Sequence, residues 1–210
     1  PSGKSTEYGK EIKSKMVAVT GDHPVELESG ETALIVAEGS VARYLVTEQL
    51  ARLKLPNDAI GETKEVKGAI VLDGSGAIDR ERSEIIVDLR TIVSDEPRRD
   101  RFLGQNVLES RKFPLAKMAF EELNGLPWPL PKSGSSNFML SGLATVHGET
   151  ELLTWSVRSE FSDGIITGLA ETDFKFEKFG MSVPSLVFIV SVEDKIRLEV
   201  ELILQVKTVP

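Results

Sequence analysis

The last stretch of the chain alternates with a period of two. Ile196, Leu198, Val200, Leu202, Leu204 and Val206 form one set, and Arg197, Glu199, Glu201, Gln205 and Lys207 form the other, with Ile203 the exception. Only an extended strand sends two such sets to opposite sides. A strand that is apolar on one face must close around something apolar or pack against it.

The pattern recurs along the chain. Leu153, Trp155, Val157 and Phe161 alternate with Thr154, Ser156, Arg158 and Glu160. Ile166, Gly168, Ala170, Phe174 and Phe176 form another row, as do Phe138, Leu140, Gly142, Ala144 and Val146. Val66 to Leu72 and Ile85 to Leu89 repeat it, and Ala42 to Gln49 and Leu115 to Glu122 are shorter cases. Residues 1–40 are less legible, with Ile12 to Thr20 and Thr32 to Val36 as further strands.

Turn chemistry separates these runs. Asp73-Gly74-Ser75-Gly76 reads as a hairpin loop, and His147-Gly148-Glu149 and Ser162-Asp163-Gly164 read as tight turns. Asn124 to Asn137, with Pro127, Pro129 and Pro131, reads as an extended hairpin loop whose Trp128 is either an ordinary loop residue or a tip suited to an interface. Pro97 to Arg111 carries Phe102, Leu103 and Val107 at helical spacing, with Pro97 fit for a first turn. A second short helix falls around Ala51 to Leu55. Eight or so short strands point to an all-β sandwich or barrel, between which the pattern does not choose.

Composition narrows the chemistry. A chain of 210 residues makes one ordinary domain, or one with an extension, and buries roughly 70% of its surface without staples. The absence of cysteine removes thiol catalysis, cysteine-based zinc sites and disulfides together. A net charge of −8 disfavours nucleic acid and anionic headgroups. No segment reaches the roughly 18 apolar residues of a membrane span. The motifs of serine hydrolases, zinc proteases and phosphate loops are all missing.

The inward-facing aromatics are Phe120, Phe138, Trp155, Phe161, Phe174 and Phe176, with Met118 beside them. Leu140, Val157, Leu198 and Val200 fall on the same faces. They serve either as ordinary core or as the lining of an apolar tunnel, to which flat rings and a flexible methionine are suited. His147 with Glu149 and Glu151 is read as a hairpin corner rather than a metal or acid–base site. Arg98, Arg99 and Arg101 with Asp100 are read as a solvated helix start with local ion pairs, the alternative being a grip on a pyrophosphate or quinone headgroup.

Four landmarks carry a resemblance from about Ala42 onward. They are Arg99-Asp100 with Leu103, Phe113-Pro114 and Phe120; Gly142 to Thr150; Phe174-Lys175-Phe176 with Phe179-Gly180-Met181; and Val192 to Ile196. Together they resemble the YceI-like family of bacterial lipid-binding proteins, in order and spacing, over roughly 170 residues. The chain departs from the family in lacking an arginine before Phe179-Gly180 and an early His-Ser pair, and in an insertion near Lys54 to Thr63. The resemblance implies a single antiparallel eight-stranded, lipocalin-like β-barrel with one or two short helices. Residues 1–40 would be an N-terminal extension and residues 41–210 the barrel domain.

The resemblance further implies a polyisoprenoid or quinone-like lipid bound, carried or stored inside the barrel. Met118, Phe120, Phe138, Leu140, Trp155, Val157, Phe161, Phe174, Phe176, Leu198 and Val200 would contact it. The expectation is a non-enzyme, without catalytic residues, metal or required cofactor. Its location would be extracytoplasmic, periplasmic or secreted, after removal of a leader, with the cytoplasm left open. Transient membrane contact and a homodimer are left open. The alternative is a non-enzymatic structural or interaction module with a packed barrel, in which residues 1–40 serve as a partner arm or sheet edge.

Overall fold

The computed structural model describes residues 16–20, 23–51, 55–185 and 189–210. Along the chain run β1 (Met16–Thr20), β2 (His23–Leu27), β3 (Thr32–Val36), β4 (Val41–Leu50), β5 (Asn57–Thr63), β6 (Val66–Leu72), β7 (Glu84–Asp88) and β8 (Val93–Ser94). Then follow helix α1 (Pro97–Asn106), β9 (Leu115–Asn124), β10 (Ser133–Val146), β11 (Glu149–Ser162), β12 (Ile165–Phe174), β13 (Ile189–Val192) and β14 (Ile196–Thr208).

Eight of these strands close a ring in the order β3, β6, β7, β9, β10, β11, β12, β14, with β14 returning to β3. Every pairing is antiparallel. Closure removes the open edges that invite wrong pairing. The alternating rows fall as the pleat requires: along β11 every second residue from Leu153 to Phe161 is buried and the residues between are exposed.

The wall is longer than a simple ring on one side. One edge of β14 pairs with β12 along its length. The other edge is shared, β3 taking the half near Leu204 and β4 the half near Arg197. Between β3 and β4 the chain turns at 37–40, where the buried Ser40 hydroxyl donates to Ala37 O at 2.9 Å and accepts from Ile203 N at 3.0 Å. β5 continues the wall beside β4, and β8 beside β5. We call the end that carries α1 the upper end and the end with the 73–76 and 125–132 loops the lower end.

The strand at Thr32 to Val36 belongs to the wall itself, so the barrel begins ahead of the 40/41 boundary drawn from patterning. All five of its residues are buried, which erases the alternation that marks the others. Ala33 and Ile35 face outward, and with Ala69 and Val71 of β6 they form a second apolar cluster under Leu27, Val25 and Val209. The β1–β2 hairpin packs on that outer face. The strand expected at Ile12 to Thr20 is described from Met16. The helix expected around Ala51 falls on 52–54, outside the described residues. The helix expected over Pro97 to Arg111 ends at Asn106.

Two backbone approaches fix local register. At Gly142, where β10 slips against β9, an added Cβ would lie 2.1 Å from Ala119 O. At the lower end Trp128 is half-buried, stacks over Gly76 and donates its Nε1 hydrogen to Gly74 O at 3.1 Å. Trp128 therefore closes the lower end as an ordinary packed loop residue.

Candidate functional site

Inside the barrel, side chains from all eight walls meet in layers. At the lower level Phe138, Val157 and Phe161 interlock with Ile166 and Leu204 and fill the interior. At mid-height four strands contribute alanine instead: Ala42, Ala116, Ala144 and Ala170. Small residues at one level leave a void that the surrounding close packing cannot collapse into. A cavity of about 140 Å³ lies there.

A second cavity, of about 120 Å³, lies above it under α1. The two adjoin and share Tyr44, Leu89, Ile92, Ala116, Val146 and Leu198 as common wall. Volumes of this size exceed many times the roughly 15 Å³ that one water centre needs. The walls are almost wholly apolar, so water there would lack partners.

Of the residues expected to contact a ligand, Met118, Phe120, Leu140, Trp155, Leu198 and Val200 line the middle cavity. Phe174, Phe176 and again Leu198 line the upper one. Phe138, Val157 and Phe161 are buried in the same core but line neither cavity. Phe176 sits on a 3-10 turn (Phe176–Phe179) rather than on the strand that its spacing suggested.

Patterning missed the polar part of the wall. Tyr44, Glu48 and Arg99 all line the upper cavity. Ala42, Tyr44, Val46 and Glu48 share the inward parity of β4, and that parity was the available signal for Glu48. Arg99 is not part of a solvated helix start: its side chain is only 6% exposed and that of Glu48 only 4%. Arg99 donates to Glu48 Oε1 at 2.6 Å and to Asp95 Oδ1 at 2.7 Å, and more weakly to Ser94 Oγ at 3.3 Å. Burial opposes the charge of Arg99, but the bonds to Asp95 and Glu48 outweigh it and raise the guanidinium above its ordinary value. Arg98 and Arg101 remain exposed.

Around that pair the helix start is built as its sequence requires. Pro97 opens α1, and Glu96 caps it by accepting from Arg98 N at 3.1 Å. Asp100 accepts from Ser94 N and Ser94 Oγ, tying the helix to β8. On the same strand as Glu48, the Tyr44 ring lies over Gly61 of the neighbouring β5, where a Cβ would come within 2.2 Å of its Cε1. Burial, and secondarily the nearby carboxylates of Asp100 and Glu48 against the pull of Arg99, pushes the Tyr44 hydroxyl well up, so it stays a proton donor.

His147 is a corner residue. Its φ is +54°, its Nδ1 lies 3.2 Å from Phe179 O, its Nε2 lies 3.0 Å from Glu109 Oε2, and Phe113 packs edge-on at 5.0 Å. Both ring nitrogens are spent on joining the β10–β11 turn to its neighbours. No group of three or more metal-ligating side chains occurs among the described residues.

A closed eight-stranded antiparallel barrel of this size has an interior that holds packed side chains or one slender ligand, and here part of it is an apolar cavity. The chain belongs to the YceI-like domain family, which it matches over residues 40–204. Solved structures with the same fold include a polyisoprenoid-binding domain from Saccharophagus degradans implicated in plant cell wall breakdown. That structure has 9% identity and a TM-score of 0.64, over 83% of this chain and 98% of that one. BcnA of Burkholderia cenocepacia has 12% identity and a TM-score of 0.56, over 80% and 98%. A YceI protein of Campylobacter jejuni has 14% identity and a TM-score of 0.54, over 74% and 88%. At these identities the likeness is one of fold. No curated protein matches the chain.

Proposed function

We propose that this protein binds, and carries or stores, a long apolar chain of the polyisoprenoid or quinone-like kind in the upper half of its barrel. The observation that carries the reading is the pair of adjoining apolar cavities, the middle one at a level where four strands place alanine. An apolar chain entering them leaves water at about 25 cal/mol per Å². The structural relative from Saccharophagus degradans, described as polyisoprenoid-binding, supports the same reading.

Binding without turnover fits the wall. Among the described residues its one carboxylate, Glu48, is bonded to Arg99, and His147 is occupied elsewhere. The alternative, a packed interaction module with residues 1–40 as partner arm, is weakened because the described part of that segment serves the barrel itself. β3 is wall, and the β1–β2 hairpin covers the outer cluster.

The test is mass spectrometry of the purified protein, native and then after organic extraction, followed by titration of the extracted protein with prenyl quinones. A stoichiometric apolar mass with isoprene repeats, or saturable uptake of added quinone, is expected. An empty protein that refuses every prenyl lipid would transfer the case to the interaction module.

A further inference from the structure

The barrel wall has a seam. β11 is paired with β10 from end to end, and β12 is paired with β14 as far as Phe174. Between β11 and β12 the ladder runs only from Ser162 with Ile165 to Ser156 with Glu171. Above that pair, the β11 edge from Glu149 to Trp155 has no strand partner on the β12 side among the described residues. A surface groove lies where the strands part, framed by Leu152, Thr154, Thr172, Asp173 and Lys178. Leu152 on its lip is 55% exposed.

Two inward-facing side chains, Leu153 and Phe174, also line this groove. Leu153 lines the middle cavity as well, and Phe174 the upper one. A single layer of two apolar side chains therefore stands between the outer groove and the interior. Little else crosses the seam. Thr172 has the inward parity of Ile166, Ala170 and Phe174, yet it lines neither cavity. Its hydroxyl donates instead to Thr154 O at 2.9 Å, where the ladder would have continued. Lys178 and Glu151 pair at 3.7 Å, both partly exposed, and such a pair contributes little. Parting β10 from β11 would instead break pairs along all 14 residues of β10. The lower end is filled by side chains, and α1 and Pro184 lie over the upper cavity. Local opening is drawn from places with few backbone bonds. We infer that the apolar chain enters and leaves the barrel sideways through the β11–β12 seam, with Leu153 and Phe174 as its gate and the Thr172 hydroxyl as its latch. This deepens the lipid-binding reading and rests on it.

The experiment uses the full chain after organic extraction and a tetraprenyl quinone as probe. Uptake is followed by stopped-flow quenching of tryptophan fluorescence, since Trp155 lines the middle cavity. The chain has no cysteine, so Thr154→Cys with Asp173→Cys sets one pair of thiols across the seam, at exposed positions that line neither cavity. Bridging them with a bifunctional methanethiosulfonate should slow uptake and release alike by about tenfold or more, as locking a local opening requires. Affinity at equilibrium should stay the same, and a reductant should restore both rates. Thr172→Val removes the latch and should raise both rates by about two- to tenfold, the worth of one neutral hydrogen bond, at unchanged affinity. Thr172→Ser keeps the hydroxyl and should keep the parent rates. Uptake at the unbridged rate across a bridged seam overturns the inference, and so do parent rates in Thr172→Val. A protein that binds no prenyl quinone in any state removes the lipid-binding reading and this one with it, whereas unaltered rates with intact binding remove this one alone.

Discussion

Replacing Ala170 by leucine separates a ligand cavity from an ordinary core. Ala170 sits on β12 between Val157 of β11 and Val200 of β14, is 5% exposed and faces the middle cavity. Leucine adds three carbons to a void of about 140 Å³, which accommodates them. At about 0.8 kcal/mol per buried carbon the gain is about 2.4 kcal/mol. Fixing the leucine side chain returns about 0.5–1 kcal/mol of that. A net gain of about 1.5 kcal/mol corresponds to a rise in Tm of roughly 3–6 °C for a domain of this size. The same three carbons exclude an equal length of ligand, so affinity for a prenyl chain should fall by roughly 50-fold. Differential scanning calorimetry of the extracted protein and a quinone titration read the two effects. Overpacking of a filled core would instead cost about 1–3 kcal/mol. A variant with lowered Tm and undiminished prenyl binding would refute both the void and its role.

Two further outcomes follow from the polar contacts. Arg99→Met strands Glu48 as an unpaired charge and should cost about 3–5 kcal/mol in denaturant unfolding; adding Glu48→Met should recover most of it, and a single variant as stable as the parent would contradict the buried pair. At the lower end, the bond from Arg82 holds the Glu31 carboxyl below its ordinary 4.5, against the opposing effect of burial. A depressed folded value means the contribution is complete above about 4.5 and is lost as pH falls through that lower value. Glu31→Gln should therefore flatten the loss of stability on acidification, read by unfolding at stepped pH, and identical acid profiles would show that the contact contributes nothing.

Much of this molecule was written in period-two alternation. The inward rows of β9 to β12 and β14 are legible because each strand has one solvated face, and a side chain's parity then states its destination. Where that condition fails, so does the reading. β3 is buried on both sides because the β1–β2 hairpin lies over its outer face, so it shows five buried residues and no alternation. The Arg99–Glu48 pair joins positions 51 residues apart, and nothing local to the arginine run distinguishes the buried guanidinium from its exposed neighbours. Parity alone also made Phe138, Val157 and Phe161 equivalent to Leu140, Trp155 and Leu198. They share a face but not a height, and only the latter three border a cavity.

The sequence by itself determined that the chain is a set of one-faced strands needing a shared apolar interior, and its landmarks pointed to the family. Tertiary structure decided where that interior is empty. Each strand sets only which residues face inward. Which of them meet at one level is set by the stagger of the strands around the wall, and there alanines from β4, β9, β10 and β12 coincide and leave the space that larger side chains fill below.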